Sequence, residues 1–268
     1  MIGQNNLIAK LKSYSIDTLP HSMLFLGEKG CGKHTLVKEL EKHFKMSAID
    51  ISDSLELETI QEINTCANSH FYIIDMSKVN EKQQNVILKF LEEPTSFTYI
   101  ILLSTSKSIL LDTIVNRCMI YEFEPYSSQQ LMQFLPFEEG IEILVEYCHT
   151  PGQVLSTSIE KIKNLIELCD NIAKNVGKAR FPNIFKISSK ITKEEIDLDL
   201  FYNVLLERLY RFFDETKNVV YKDMYNISSN ALKKHNDTRL NQELIIDSLV
   251  MELHEASRGK IVWRQFKS

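Results

Sequence analysis

An α/β domain built on a parallel sheet, followed by two helical domains, is the architecture this sequence predicts. Three observations predict it. Short apolar runs alternate with helix-period stretches through the first 125 residues. A glycine-rich loop joins the first of these runs to a helix. Beyond Pro125 the strand-like runs stop and helical patterns take over.

The elements follow in order. Residues 6–14 place Leu7, Ile8 and Leu11 on one side of an amphipathic helix. The run MLFLG from Met23 is a buried strand ending in glycine. Residues 33–44 return to helical spacing through Leu36, Val37, Leu40 and Phe44. AIDIS around Ile49 reads as a second strand, residues 56–67 as a helix and FYIID from Phe71 as a third strand. Residues 80–92 are helical up to a stop at Pro94, and YIILLS from Tyr99 and MIYEF from Met119 complete five strands. Helical patterns over 127–177 are broken at Pro136, Gly140 and Pro151-Gly152. Residues 180–193 lack firm periodicity and read as a linker, and from Ile196 the chain is helical again. The predicted division is an α/β domain over 1–125, a small helical domain over 126–180 and a helical C-terminal domain over 181–268.

Composition narrows the function. Of 268 residues, 44% are hydrophobic and 25% charged, ample for a core. The net charge of −5 argues against a broadly basic nucleic-acid-binding surface, so any DNA contact is local or shared with partners. The cysteines Cys31, Cys66, Cys118, Cys148 and Cys169 form no Cys-x-x-Cys pair, and no Cys/His cluster has zinc-ligand spacing. Reduced thiols, a polar N-terminus and the lack of a long apolar run predict a cytoplasmic protein without a membrane segment.

The loop LFLGEKGCGKHTL carries the chemistry. Glycines let the backbone curl so that N–H groups face a phosphate chain, the helix dipole adds positive potential, and Lys33 supplies a mobile cation. The expected nucleotide-binding residues are Gly27, Gly30, Cys31, Gly32, Lys33, His34 and Thr35, with Asp75 at the end of a later strand. A glycine-rich turn of no function is the plainer alternative. The motif calls for Ser or Thr after the lysine, to ligate magnesium, and His34 stands there. Thr35 lies one residue along, about 100° around the helix, and cannot simply replace it. Asp75 ends an apolar strand where a magnesium-associated carboxylate belongs, or else caps the following turn.

Residues 80–126 are more specific. Asn85, the block LKFLEEP from Leu88 to Pro94, and TIVNRC from Thr113 to Cys118 resemble the clamp-loader branch of AAA+ proteins. IGQ from Ile2 and LPHSMLFLG from Leu19 resemble that family's opening. The resemblance implies a P-loop AAA+ sheet domain, a helical lid and a collar-like C-terminal domain. It implies an ATP or ADP site, a place beside other AAA+ subunits in a hetero-oligomer, and a sensor position after the fourth strand, where Ser104 and Thr105 keep hydroxyls. His34 leaves magnesium at most weakly held, and the family's usual four-cysteine zinc module is missing, so no zinc is expected. The sliding clamp and primed-template DNA would be further partners. It also makes Arg117 an arginine finger acting in trans on a neighbour's ATP, with Asn116 in place of the family's serine. Pairing of Arg117 with an acid on its own chain is the plainer alternative.

Several departures point away from hydrolysis. The family's water-activating glutamate, next after Asp75, is Met76, and a thioether takes no proton. The stretch from His149 offers Gly152 or Gln153 where the family has a sensor arginine. The expectation is therefore a hydrolysis-deficient clamp-loader subunit. An active ATPase using Asp53, Glu92 or Glu93 instead, and a P-loop enzyme of another class, are the alternatives. Lys186, Lys190 and Lys193 read as a solvated linker, Lys233, Lys234 and His235 as a helix surface or loop, and the Trp263 tail as a docking peptide or a packed helix end.

Overall fold

The computed structural model describes residues 2–65, 68–92, 97–136, 140–193, 196–236 and 240–259. Cys66, Glu93, Pro94 and the Trp263 tail lie outside them. Contacts group the chain into two compact units, Met1–Phe134 with Thr150–Gly152, and Leu135–His149 with Gln153–Ser268.

The first unit runs α1 (Asn5–Lys12), β1 (Ser22–Leu26), α2 (Lys33–Phe44), β2 (Ala48–Asp50), α3 (Leu57–Thr65) and β3 (His70–Asp75). It continues through α4 (Glu81–Glu92), β4 (Thr98–Ser104), α5 (Asp112–Val115), β5 (Met119–Glu122) and α6 (Ser128–Met132). All five strands are parallel, in the order β2-β3-β4-β1-β5. Alternation along β4 explains the layers: Tyr99, Ile101 and Leu103 pack with Leu11 of α1 and Leu36 and Leu40 of α2, while Ile100 and Leu102 pack with Ile87 and Phe90 of α4. A sheet covered on both faces leaves only its rims for ligands. Because β1 lies between β4 and β5, the chain reverses its order of strands beside β1, and the crevice at the carboxyl ends there is where such sheets bind ligands.

The second unit is helical: α7 (Glu142–Tyr147), the latter part of α8 (Pro151–Ser156), α9 (Ile159–Asn175), α10 (Phe181–Lys193), α11 (Leu198–Thr216), α12 (Val219–His235) and α13 (Gln242–Ser257). Ser158, Asp197, Asn218 and Asn241 each cap a following helix through a side-chain oxygen. The expected linker at 180–193 is instead α10, whose Ile184, Ser188 and Ile191 are buried one turn apart. Pro182 in its first turn costs no needed N–H, but serines and β-branched residues weaken the helical signal. Lys186 and Lys190 stand on its exposed side. His235 also departs from expectation. It is half-buried, with Nε2 3.0 Å from Asp199 and Nδ1 2.5 Å from Gln242. Among the described residues, no helix is long and apolar enough to cross a membrane.

Candidate nucleotide site

Leu26 ends β1, and the Gly27 N–H donates to Ser104 O at 3.1 Å, so the glycine-rich loop springs from the last rung of the sheet. Gly32, at φ 103°, turns the backbone in the left-handed region that glycine tolerates, and α2 begins at the next residue. No side chain caps that N-terminus. The first N–H groups of a 12-residue helix therefore face outward without an intrahelical acceptor, a cradle suited to an anion. Lys33 Nζ donates to Gly27 O at 2.5 Å and to Glu28 O at 3.0 Å. Burial holds the Lys33 ammonium below its ordinary pKa, and Cys31, Asp75 and Glu28 pull it partly back. A phosphate would offer Lys33 a charged acceptor in place of two neutral carbonyls.

The magnesium side is poorer. His34 and Thr35 are exposed at the start of α2. Asp75 Oδ1 accepts from the Ser77 amide at 3.0 Å and from the Ser77 hydroxyl at 2.8 Å, the turn-capping role that was the plainer expectation. Its backbone N–H donates to Ser52 Oγ at 2.8 Å, and Ser52 in turn donates to Asp50. Burial alone would raise the Asp50 pKa; the Ser52 hydrogen bonds outweigh it and hold the carboxyl low. Met76 is 2% exposed and belongs to the core between the sheet and α4. The residue after Asp75 is thus turned away from any ligand on the rim. The phosphate cradle fits a nucleotide, whereas one half-engaged carboxylate and an imidazole make a poor donor set for magnesium. Among the described residues, no three His, Cys, Asp or Glu side chains are arranged to hold a metal.

Arg117 follows α5. Its Nη1 donates to Thr113 O at 3.0 Å and its Nη2 to Glu92 Oε1 at 2.8 Å, with 38% of the side chain exposed. Both partners are on its own chain, and neither belongs to the phosphate loop. Two of its five N–H donors are used in this way.

The family model described as DNA polymerase III, delta subunit, matches residues 45–127. A replication factor C small subunit from Methanothermobacter thermautotrophicus is 23% identical over 212 residues, 73% of this chain and 66% of that protein. DNA polymerase III subunit delta' from Bacillus subtilis is 22% identical over 285 residues, 89% of this chain and 87% of its own. The chain is a divergent relative of the clamp-loader AAA+ proteins. In fold it is similar to a RuvB mutant of Thermotoga maritima, at a TM-score of 0.51 and 14% identity over 94% of this chain and 89% of that one.

In this clamp-loader relative the loop residues Gly27 to Thr35 form one contiguous cradle, and Asp75 reaches it only electrostatically, through Lys33. Thr105 is exposed just past β4. Gln153 is occupied elsewhere, its Oε1 accepting from the His149 N–H at 2.8 Å. Two residues around the loop, Tyr126 and Thr150, escaped the sequence reading, and Gly152 was read only as a helix break and as standing where the family has a sensor arginine. The Tyr126 hydroxyl donates to Cys31 O, the Thr150 hydroxyl to Lys29 O, and the Gly152 N–H to Gly30 O. Tyr126 closes the family-like stretch 80–126 and Thr150 lies in the stretch from His149, but nothing in either stretch pointed to the phosphate loop.

Proposed function

We propose that this chain is a subunit of a DNA sliding-clamp loader that binds ATP or ADP without hydrolysing it efficiently and presents Arg117 to the ATP site of a neighbouring subunit. Its partners would be other AAA+ subunits, the sliding clamp and primed-template DNA. The three-part division at 125 and 180 belongs to the same proposal. Met76 carries the non-hydrolysing part. A P-loop ATPase needs a base or water-positioning group near the γ-phosphate, and the position after Asp75 instead holds a thioether packed in the core. His34 at the magnesium-ligating position supports the same view. For Arg117, the TIVNRC resemblance, partial exposure and N–H donors left over among the described residues support the finger role. A guanidinium offered to a γ-phosphate in trans is worth ~10³–10⁵ in rate.

The test is DNA- and clamp-stimulated ATP hydrolysis by the chain mixed with the ATPase subunits of its own source, comparing wild type with Arg117→Ala. An inactive isolated chain, and a mixture that loses most of its rate with the variant, support the proposal. Brisk hydrolysis by the chain alone, with no effect of Arg117→Ala in the mixture, overturns it.

A further inference from the structure

We infer that Tyr126 and Thr150 are positioning residues for nucleotide binding, acting together with the Gly152 amide as a strap behind the phosphate loop. The inference rests on the nucleotide-binding reading above and deepens it.

Three consecutive loop carbonyls are held from outside the loop. Lys29 O accepts from Thr150 Oγ1 at 3.1 Å, Gly30 O from the Gly152 N–H at 3.0 Å, and Cys31 O from Tyr126 Oη at 2.8 Å. In a trans peptide, the carbonyl of one residue and the N–H of the next point in opposite directions. Tying Lys29 O and Cys31 O to the strap therefore aims the Gly30 and Gly32 N–H groups to the other side, toward the anion cradle. The Cys31 N–H closes a turn onto Glu28 O at 3.2 Å. The Gly30 and Gly32 donors are thus set to face a ligand before any ligand arrives, while the Cys31 N–H stays in the turn, which removes part of the ordering cost of binding.

The strap depends on missing side chains. A Cβ on Gly152 would lie 2.6 Å from Gly30 Cα, and one on Gly30 would lie 2.9 Å from Thr150 Oγ1 and 3.0 Å from Gly152 Cα. Gly30 also holds φ +82°, which disfavours any other residue. The resemblance leads one to expect an arginine in this stretch, and here Gly152 lets backbone meet backbone. The strap hydroxyls are well placed to donate. Thr150 is 2% exposed, and burial raises the Tyr126 pKa, keeping its phenol protonated.

The experiment is titration of the full-length chain with a fluorescent ADP analogue and, separately, with ATP. The proteins are wild type, Tyr126→Phe, Thr150→Val, Thr150→Ser and Lys33→Ala, each with its ligand-free Tm measured. The expected result is roughly three- to tenfold weaker binding for Tyr126→Phe and for Thr150→Val, the scale of one neutral hydrogen bond. Thr150→Ser, which keeps the hydroxyl, should restore wild-type affinity; a purely packing role would give no such rescue. Should Thr150→Val fail to fold, Tyr126→Phe carries the test, since it removes a single oxygen. Unchanged affinity in Tyr126→Phe while Lys33→Ala loses binding overturns the strap and leaves the nucleotide reading intact. Wild-type protein that binds neither nucleotide overturns the nucleotide reading itself.

Discussion

Restoring a glutamate after Asp75 should not restore hydrolysis, because the side chain there points into the core. Met76 is 2% exposed, among residues including Ile74 and Ile87. In Met76→Glu the side chain is of similar length, so little cavity forms, but the burial of the thioether, worth about 1.5–3 kcal/mol, is lost. A carboxyl group confined there without a hydrogen-bond partner costs about 1–3 kcal/mol more in its neutral form, and ionising it would cost more still. The sum is about 2.5–6 kcal/mol, which for a domain of this size lowers Tm by roughly 10–20 °C. Differential scanning fluorimetry gives the shift, and a coupled phosphate-release assay gives the rate. A Met76→Glu protein that melts like wild type and hydrolyses ATP would refute the placement of this side chain and the inactivity inferred from it.

Three further outcomes are expected. Lys33→Ala should leave the ligand-free Tm nearly unchanged while abolishing the rise in Tm that ADP produces, read by thermal shift across an ADP series. Burial pushes the His235 pKa down, but hydrogen bonds with Asp199 and Gln242 and the charges of Asp199 and Asp197 outweigh it, so the folded value lies above the ordinary one. The resulting stabilisation is complete below the unfolded value of ~6.5 and lost as pH rises through the higher folded value. The stability gap between wild type and His235→Gln, from urea melts at pH 5.5 and pH 8.5, should therefore be wider at the lower pH; an equal gap would contradict it. Asp170→Asn breaks a two-pronged pair in which Arg208 Nε lies 2.6 Å and Nη2 2.9 Å from the carboxylate. With both side chains about one-fifth exposed, the loss should be about 2–3 kcal/mol in urea denaturation, short of the ~3–5 kcal/mol of a fully buried pair.

Much of the sheet was legible because each strand is an apolar run closed by a turn residue or a carboxylate. β4 reads as a strand on both faces at once, since Tyr99 to Leu103 are all buried. The cradle was legible for a different reason: the glycines, Lys33 and a strand–helix junction are local in sequence. What the sequence concealed was tertiary. Arg117 carries a family motif, but only the fold brings Glu92, 25 residues away, to its guanidinium. Serines and β-branched residues hid α10, because packing against α13 rather than local propensity supports it. The partners of Tyr126 and Thr150 left no periodic trace at all.

The return of residues 150–152 to the first unit has a consequence for how the chain is made. The Thr150 hydroxyl meets a carbonyl 121 residues upstream. At ~5–20 residues per second, that separation corresponds to roughly 6–24 s of synthesis. The sheet and its helices can assemble from residues already made, but the back of the phosphate loop waits for a segment that emerges long after the loop itself. Contacts so distant in sequence are also among the slowest to close during refolding. A fragment ending at residue 134 would contain every strand among the described residues and the entire glycine-rich loop. It would still lack two of the three groups that hold that loop in shape.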